Sequence, residues 1–330
     1  LELIYIHLPV DVIPLNLSKI KKGITLPYIK RLIFCSGYQR EINTVKKLYL
    51  TRLNRGIIIG SQHGASYGYE KNMTQWVFSE FLLDGYISSG YDENNIKWVK
   101  PYLGFFPAGF KFCQYLRERK YTNKKLGSKS SLLYIETQYE LNKLILTDRI
   151  DRDASYSKYR TFLLINSFIR KLNIQTTLKF DHIYIKPWMF KQSLSQSDFC
   201  IKNLDKPFKI MHGKASKIMN NFSGLIILDD ISTPLFECIA LGKPFLIIID
   251  EVNDHTDFAK RLFDILIKEK FMTFSVESAL ESIYIYLNDP KEYTERQYRC
   301  TKEMRKIFCT GEKWNVSIFT KEFYKRTLKG

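Results

Sequence analysis

Gly224-Leu225-Ile226-Ile227-Leu228-Asp229-Asp230-Ile231-Ser232-Thr233-Pro234-Leu235-Phe236-Glu237-Cys238-Ile239-Ala240-Leu241-Gly242-Lys243-Pro244-Phe245-Leu246-Ile247-Ile248-Ile249-Asp250 is the stretch that decides the fold. A short, wholly apolar run ends in acids. A hydroxyl pair then stands before a proline, a residue favoured in the first helical turn, where its missing N–H costs nothing. A glycine closes the helix and a second apolar run comes after it. The pattern reads as strand, helix from Ser232-Thr233, strand: one unit of a parallel sheet whose central strands are buried on both faces.

The same alternation extends outward in both directions. Toward the N-terminus the spacing predicts strands over 131–135 and 182–186, with helices over 155–172 and 214–220. Earlier still come strands over 3–7, 31–36, 56–60 and 85–88, with helices over 38–53 and 73–82. Toward the C-terminus it predicts helices over 257–269, 276–287, 290–308 and 316–327. Between them, residues 117–129 are polar and nearly free of apolar side chains, as an interdomain connection is. The expected organisation is an α/β chain of two Rossmann-like domains, 1–120 on the acceptor side and 121–290 on the donor side, with C-terminal helices over 291–330. A chain of 330 residues that is 45% hydrophobic can bury two such cores.

In the 224–250 unit the helix start is a candidate anion site. The amides of Leu235 and Phe236, expected to be unpaired, lie at the positive end of the helix dipole beside the Ser232 and Thr233 hydroxyls. Asp230 precedes them, and Glu237 lies one turn inside, placed to meet a ribose or sugar hydroxyl. A plain N-cap explains Thr233 without any ligand. Gly56-Ile57-Ile58-Ile59-Gly60-Ser61-Gln62-His63-Gly64-Ala65-Ser66-Tyr67-Gly68 is the second signal. Its strand delivers Gln62 and His63 to the carboxyl edge of a sheet, where open α/β folds bind ligands. Gly64 permits a close backbone approach, Tyr67 can stack on a sugar, and His63 suits a general base at neutral pH. A buried histidine in a glycine turn is the alternative. Asp84 and Asp92, which flank 85–91, are substitute bases. Lys186 and His212 are further candidates for donor phosphate, each also explicable as a residue at a turn.

Composition restricts partners. Lys and Arg outnumber acids 51 to 34, a net charge of +17, which favours polyanions, although a lysine-rich genome explains it equally. Only the C-terminal stretch concentrates the charge enough to suggest an anionic membrane surface, and no nucleic-acid-binding signature accompanies it. Six scattered cysteines form neither a C-x-x-C pair nor a metal site. No apolar run approaches the roughly 18–20 residues of a membrane span, so the expected location is cytoplasmic. The opening at Leu1, directly into a strand, suggests a piece of something longer.

The order of these segments resembles the bacterial surface-polysaccharide transferases of the leptospiral type. These are in turn similar to CDP-glycerol glycerophosphotransferases and to glycosyltransferases of the GT-B architecture. The resemblance is carried by Leu8-Pro9, Gln62-His63-Gly64 with Tyr67-Gly68, Asp84-Gly85-Tyr86 with Gly90, and Lys186-Pro187. It continues through Ser232-Thr233 with Glu237 and Lys243-Pro244, then Ala279, Asn288-Asp289-Pro290, Gln297 and Phe308-Cys309. It departs from the family pattern at Lys186, at Ala65 and at Ser89-Gly90-Tyr91, where an Arg, a second Gly and Trp-Gly-Trp are usual. The resemblance implies metal-independent transfer from a nucleotide-activated sugar to a glycan or lipid-linked acceptor, with no cofactor, phosphates at Ser232 and Thr233, and an active-site role for His63. Polyol-phosphate transfer on the same scaffold, sugar epimerisation, and non-catalytic binding to nucleic acid or membrane are the competing readings.

Overall fold

The computed structural model describes residues 32–36, 50–51, 53, 56–61, 68–69, 83–92, 94–95, 101–107, 126–137, 152–175, 178, 180–188, 195–250, 255–308, 321–323 and 325–326. The expected strand over 3–7, the helix over 73–82, and most of 38–53 and 117–129 lie outside them.

Two parallel sheets organise these residues. In the first, β1 (Leu32–Ser36), β2 (Ile57–Ser61), β3 (Gly85–Ser88) and β4 (Phe105–Pro107) lie side by side in chain order. The second contains β5 (Ser131–Ile135), β6 (His182–Lys186), β7 (Phe208–Ile210), β8 (Leu225–Leu228), β9 (Phe245–Ile248) and β10 (Met272–Thr273), in the order β10-β9-β8-β5-β6-β7. Counted from β5, that is the 3-2-1-4-5-6 order of a doubly wound Rossmann-like sheet, and its direction of winding reverses between β5 and β8. Strands β5, β8 and β9 are buried at every position, as central parallel strands covered on both faces must be. Strands β4, β7 and β10 were not expected from the sequence. They are two or three residues long, and pairing with a neighbour rather than an apolar run of their own defines them.

The helices connecting the second sheet are α1 (Arg152–Ile174), α2 (Gln196–Asn203), α3 (Ala215–Asn221), α4 (Thr233–Leu241) and α5 (Asp257–Lys268), then α6 (Val276–Asn288), α7 (Pro290–Cys300) and α8 (Lys302–Phe308). Helix α1 packs against α2 and α6, whereas α3 and α8 pack against α4. The single helix expected over 290–308 is divided at Thr301, whose hydroxyl donates back to the Gln297 carbonyl (2.8 Å). Such back-bonding competes with the helical ladder and bends it. Gln297 itself is structural: its side-chain amide accepts from Phe245 N (3.0 Å) and donates to Phe245 O (2.7 Å), satisfying the backbone where β9 begins. Among the described cysteines, Cys200 and Cys238 are buried free thiols; burial, then the charge of Glu136, pushes the Cys200 thiol up to about 12.

The buried apolar residues of the second sheet form one continuous cluster that extends into Ile58, Tyr69, Leu83, Tyr86, Tyr91 and Phe105 of the first. Helix α8 takes part on both sides. Phe308 meets Phe236 of α4 edge-on at 4.7 Å, while the Ile307 carbonyl abuts Gly90 in the turn after β3. Arg326 also reaches the first sheet, donating to the carbonyls of Leu103 and Phe105 (2.8 and 2.9 Å) over the ring of Phe106. Among the described residues, no helix is long and apolar enough to cross a membrane.

Candidate functional site

The winding reversal places the ends of β5 and β8 side by side, with Ile135 level with Leu228. The residues leaving the two strands therefore share the sheet's carboxyl edge: Glu136 and Thr137 after β5, and Asp229 to Thr233 after β8. A doubly wound sheet opens a crevice at this point.

Helix α4 begins there in an unusual way. Five described helices have Ser, Thr or Asp as N-cap. In four of them the side chain accepts a hydrogen bond from the first turn: Ser195, Thr256, Ser275 and Asp289. Ser232, at φ −137° and ψ −173°, makes no such bond. Its hydroxyl and that of Thr233 are half-buried and not engaged in capping. The expectation of an unpaired Leu235 amide is corrected, since that N–H donates to the Ser232 carbonyl (3.0 Å). With Pro234 lacking a donor and Leu235 N paired, the N–H groups left to this helix start are those of Ser232 and Thr233, beside their two hydroxyls.

Thr233 and Glu237 stand four positions apart, which puts them on one helix face. Glu237 is buried, only 5% exposed, and its Oε2 has no hydrogen-bond partner among the described residues. Burial pushes its carboxyl up to about 8. At neutral pH it is largely protonated, so it can donate to a ligand oxygen as well as accept from a hydroxyl. That extends the expectation from sequence, in which it was an acceptor only.

The acids at the strand ends have structural duties. The Tyr134 hydroxyl donates to buried Asp229, tying β5 to β8. Glu136 is missed entirely by sequence reasoning. Its Oε1 accepts from Gln196 N (2.6 Å), while its Oε2 accepts from Trp188 N (3.0 Å) and the Ser197 hydroxyl (3.1 Å). A carboxylate thus occupies the N-terminus of α2 and fills the anion position there. The only advance signal was its place one residue beyond a buried strand. Asp230 is half-buried beside Ser232.

Lys186 ends β6 next to Glu136. It is buried and donates to the Pro187 carbonyl. Burial lowers its pKa, and the Glu136 charge opposes that shift. Two strand spacings, roughly 10 Å, separate β6 from β8, a span that a nucleoside diphosphate can bridge. His212 is exposed after edge strand β7, roughly 14 Å by strand spacing from β8, so the structure does not bring it together with Thr233.

In the first sheet, Asp84 Oδ2 accepts from Ile58 N (2.7 Å) at the amino end of β2 and β3 and fastens the two strands. Asp92 accepts from Asn94 N (2.9 Å) and shapes a turn. Gln62, His63, Gly64 and Tyr67 lie outside the described residues. In the basic C-terminal region, Lys291, Arg296 and Arg299 are paired with Glu295, Glu269 and Glu292; Lys302 and Lys321 are exposed.

The model of the LIC12162 family transferase matches residues 16–310, a span that includes both sheets and the α4 site. The chain belongs to that family. Its members are described as transferases, and the match covers the ordered motifs from Gln62-His63-Gly64 to Gln297. No curated protein matches the sequence. Among solved structures, the crystal structure of TarM aligns with 11% identity and a TM-score of 0.48, covering 89% of this chain and 54% of that one. This chain therefore spans about half the length of TarM.

Proposed function

We propose that this transferase moves a sugar from a nucleotide-sugar donor to a surface-glycan or lipid-linked acceptor, without a metal bridging the phosphates. In this reading two Rossmann-like domains of GT-B type, 1–120 and 121–290, face one another across a cleft, with helices 291–330 completing them. The work is done on the cytoplasmic side, at the inner face of the membrane. The donor phosphates lie on the amides and hydroxyls of Ser232 and Thr233, and Glu237 meets a ribose or sugar hydroxyl. Lys186 adds positive charge. Gln62, Gly64 and Tyr67 line the acceptor side, and His63 takes the acceptor proton. The observation carrying this reading is the start of α4: a positively polarised helix end at the winding reversal whose N-cap Ser232 makes no side-chain cap bond, one turn above a buried carboxyl whose Oε2 has no partner among the described residues.

The leaving group tests it. Sugar transfer breaks the bond between the anomeric carbon and the distal phosphate oxygen, so a nucleoside diphosphate is released. Transfer of a polyol phosphate breaks the phosphoanhydride and releases a nucleoside monophosphate. Incubation with UDP-, GDP- and CDP-linked donors and a lipid-linked glycan extract, with nucleotide chromatography of the products, is expected to show acceptor-dependent diphosphate. His63→Ala should lower that release without lowering the melting temperature. Monophosphate release would replace this reading with polyol-phosphate transfer, and nucleotide turnover that needs no acceptor would refute transfer.

A further inference from the structure

We propose that Tyr69, just beyond the Gln62-His63-Gly64 segment, is a positioning residue for the donor-phosphate site on α4; the inference rests on the donor reading above. Tyr69 is fully buried. Its hydroxyl donates to the carbonyl of Ile231, the residue before Ser232. Its backbone is held as well, because Thr256 N donates to Tyr69 O (2.8 Å) and the Thr256 hydroxyl donates to Gly68 O (3.1 Å). The ring stacks on His255 (5.7 Å, 5° between planes), meets Phe263 edge-on at 5.8 Å, and lies 5.8 Å from Phe236 of α4. Gly68, at φ +94°, presses on the ring of Tyr91, where a Cβ would come within 2.2 Å of a ring carbon. Gly68 and Tyr69 are thus fastened to the β8–α4 loop and to the start of α5.

Peptide geometry gives the hydroxyl its consequence. The Ile231–Ser232 peptide is planar and trans, so its C=O and N–H point in opposite directions. Fixing the Ile231 carbonyl on Tyr69 therefore fixes the direction of the Ser232 N–H, the first amide of the proposed phosphate cradle. A buried tyrosine hydroxyl needs a partner. Here that partner is the one carbonyl whose peptide carries the cradle's first donor. The ring supplies packing and the hydroxyl supplies orientation.

Tyr69→Phe keeps the ring and its packing and removes the hydroxyl that donates to Ile231 O. Titration calorimetry with UDP, GDP and CDP, each against its nucleoside, reads the difference, with Thr233→Tyr as the control. The expected result is a loss of about fivefold in diphosphate affinity, the size of one ordinary hydrogen bond, with nucleoside affinity unchanged. Equal weakening of diphosphate and nucleoside overturns the proposal, because the hydroxyl would then act through packing alone. So does diphosphate binding that Thr233→Tyr abolishes but Tyr69→Phe leaves intact. No diphosphate binding by the wild-type protein, or binding indifferent to Thr233→Tyr, overturns the donor reading itself and this inference with it.

Discussion

Gly90→Ala is expected to cost about 3 kcal/mol or more of folding stability, enough to deplete the folded protein at physiological temperature. Two costs combine. Gly90 has φ +116°, a conformation that side chains with a Cβ rarely adopt. A Cβ placed there would also lie 1.7 Å from the Ile307 carbonyl oxygen, which is backbone and cannot rotate away. Either the turn after β3 or α8 must move, and α8 is held by the contact between Phe308 and Phe236. Gly213→Ala is the matched control, since its φ is +123° but nothing lies within 4 Å of its Cβ. Strain alone should cost about 1 kcal/mol there. Urea unfolding of the two variants separates packing from strain, and equal losses would mean that the turn and α8 do not abut in solution.

The second large effect is a dependence on pH. The Glu237 carboxyl titrates near 4.5 in the unfolded chain and is pushed by burial to about 8 in the folded one. Between those values the unfolded chain gives up a proton that the folded chain keeps. The stability from burying the neutral acid is therefore complete below pH 4.5 and is lost as pH rises through 8, by an amount on the order of 4 kcal/mol. Glu237→Gln keeps the shape and removes the ionisation. Its urea midpoints should fall less than those of the wild-type protein between pH 5 and 9, with the gap widest at the alkaline end. Parallel curves would show that this carboxyl is hydrated and already ionised. The same protonation bears on function, because a neutral acid one turn below Thr233 adds no negative charge against donor phosphates.

The architecture was readable wherever an apolar run had to be buried on both faces. Strands 131–135 and 182–186 appear with the expected bounds, and 224–228 and 244–249 are shortened only at their ends. Strands β4, β7 and β10 were not readable, because partner strands rather than their own composition make them strands. At the candidate site, Pro234 and Gly242 announced both ends of α4, and the hydroxyl pair announced its start. The Leu235 amide was misjudged, because a local turn back to Ser232 satisfies it. The bond from Ile58 N to Asp84 was not readable either, because a sequence shows that an acid stands beside a strand but not which backbone group it meets. Glu136 and Tyr69 act across 60 and 162 residues, on Gln196 and Ile231 respectively. Only tertiary structure creates such partners.

The claim underlying the whole account is that donor phosphates rest on the first turn of α4. Titration of the wild-type protein and Thr233→Tyr with UDP, GDP and CDP tests it most directly. The account predicts that at least one diphosphate binds the wild-type protein and that binding is lost in the variant at an unchanged melting temperature. Equal affinity in both proteins would contradict it.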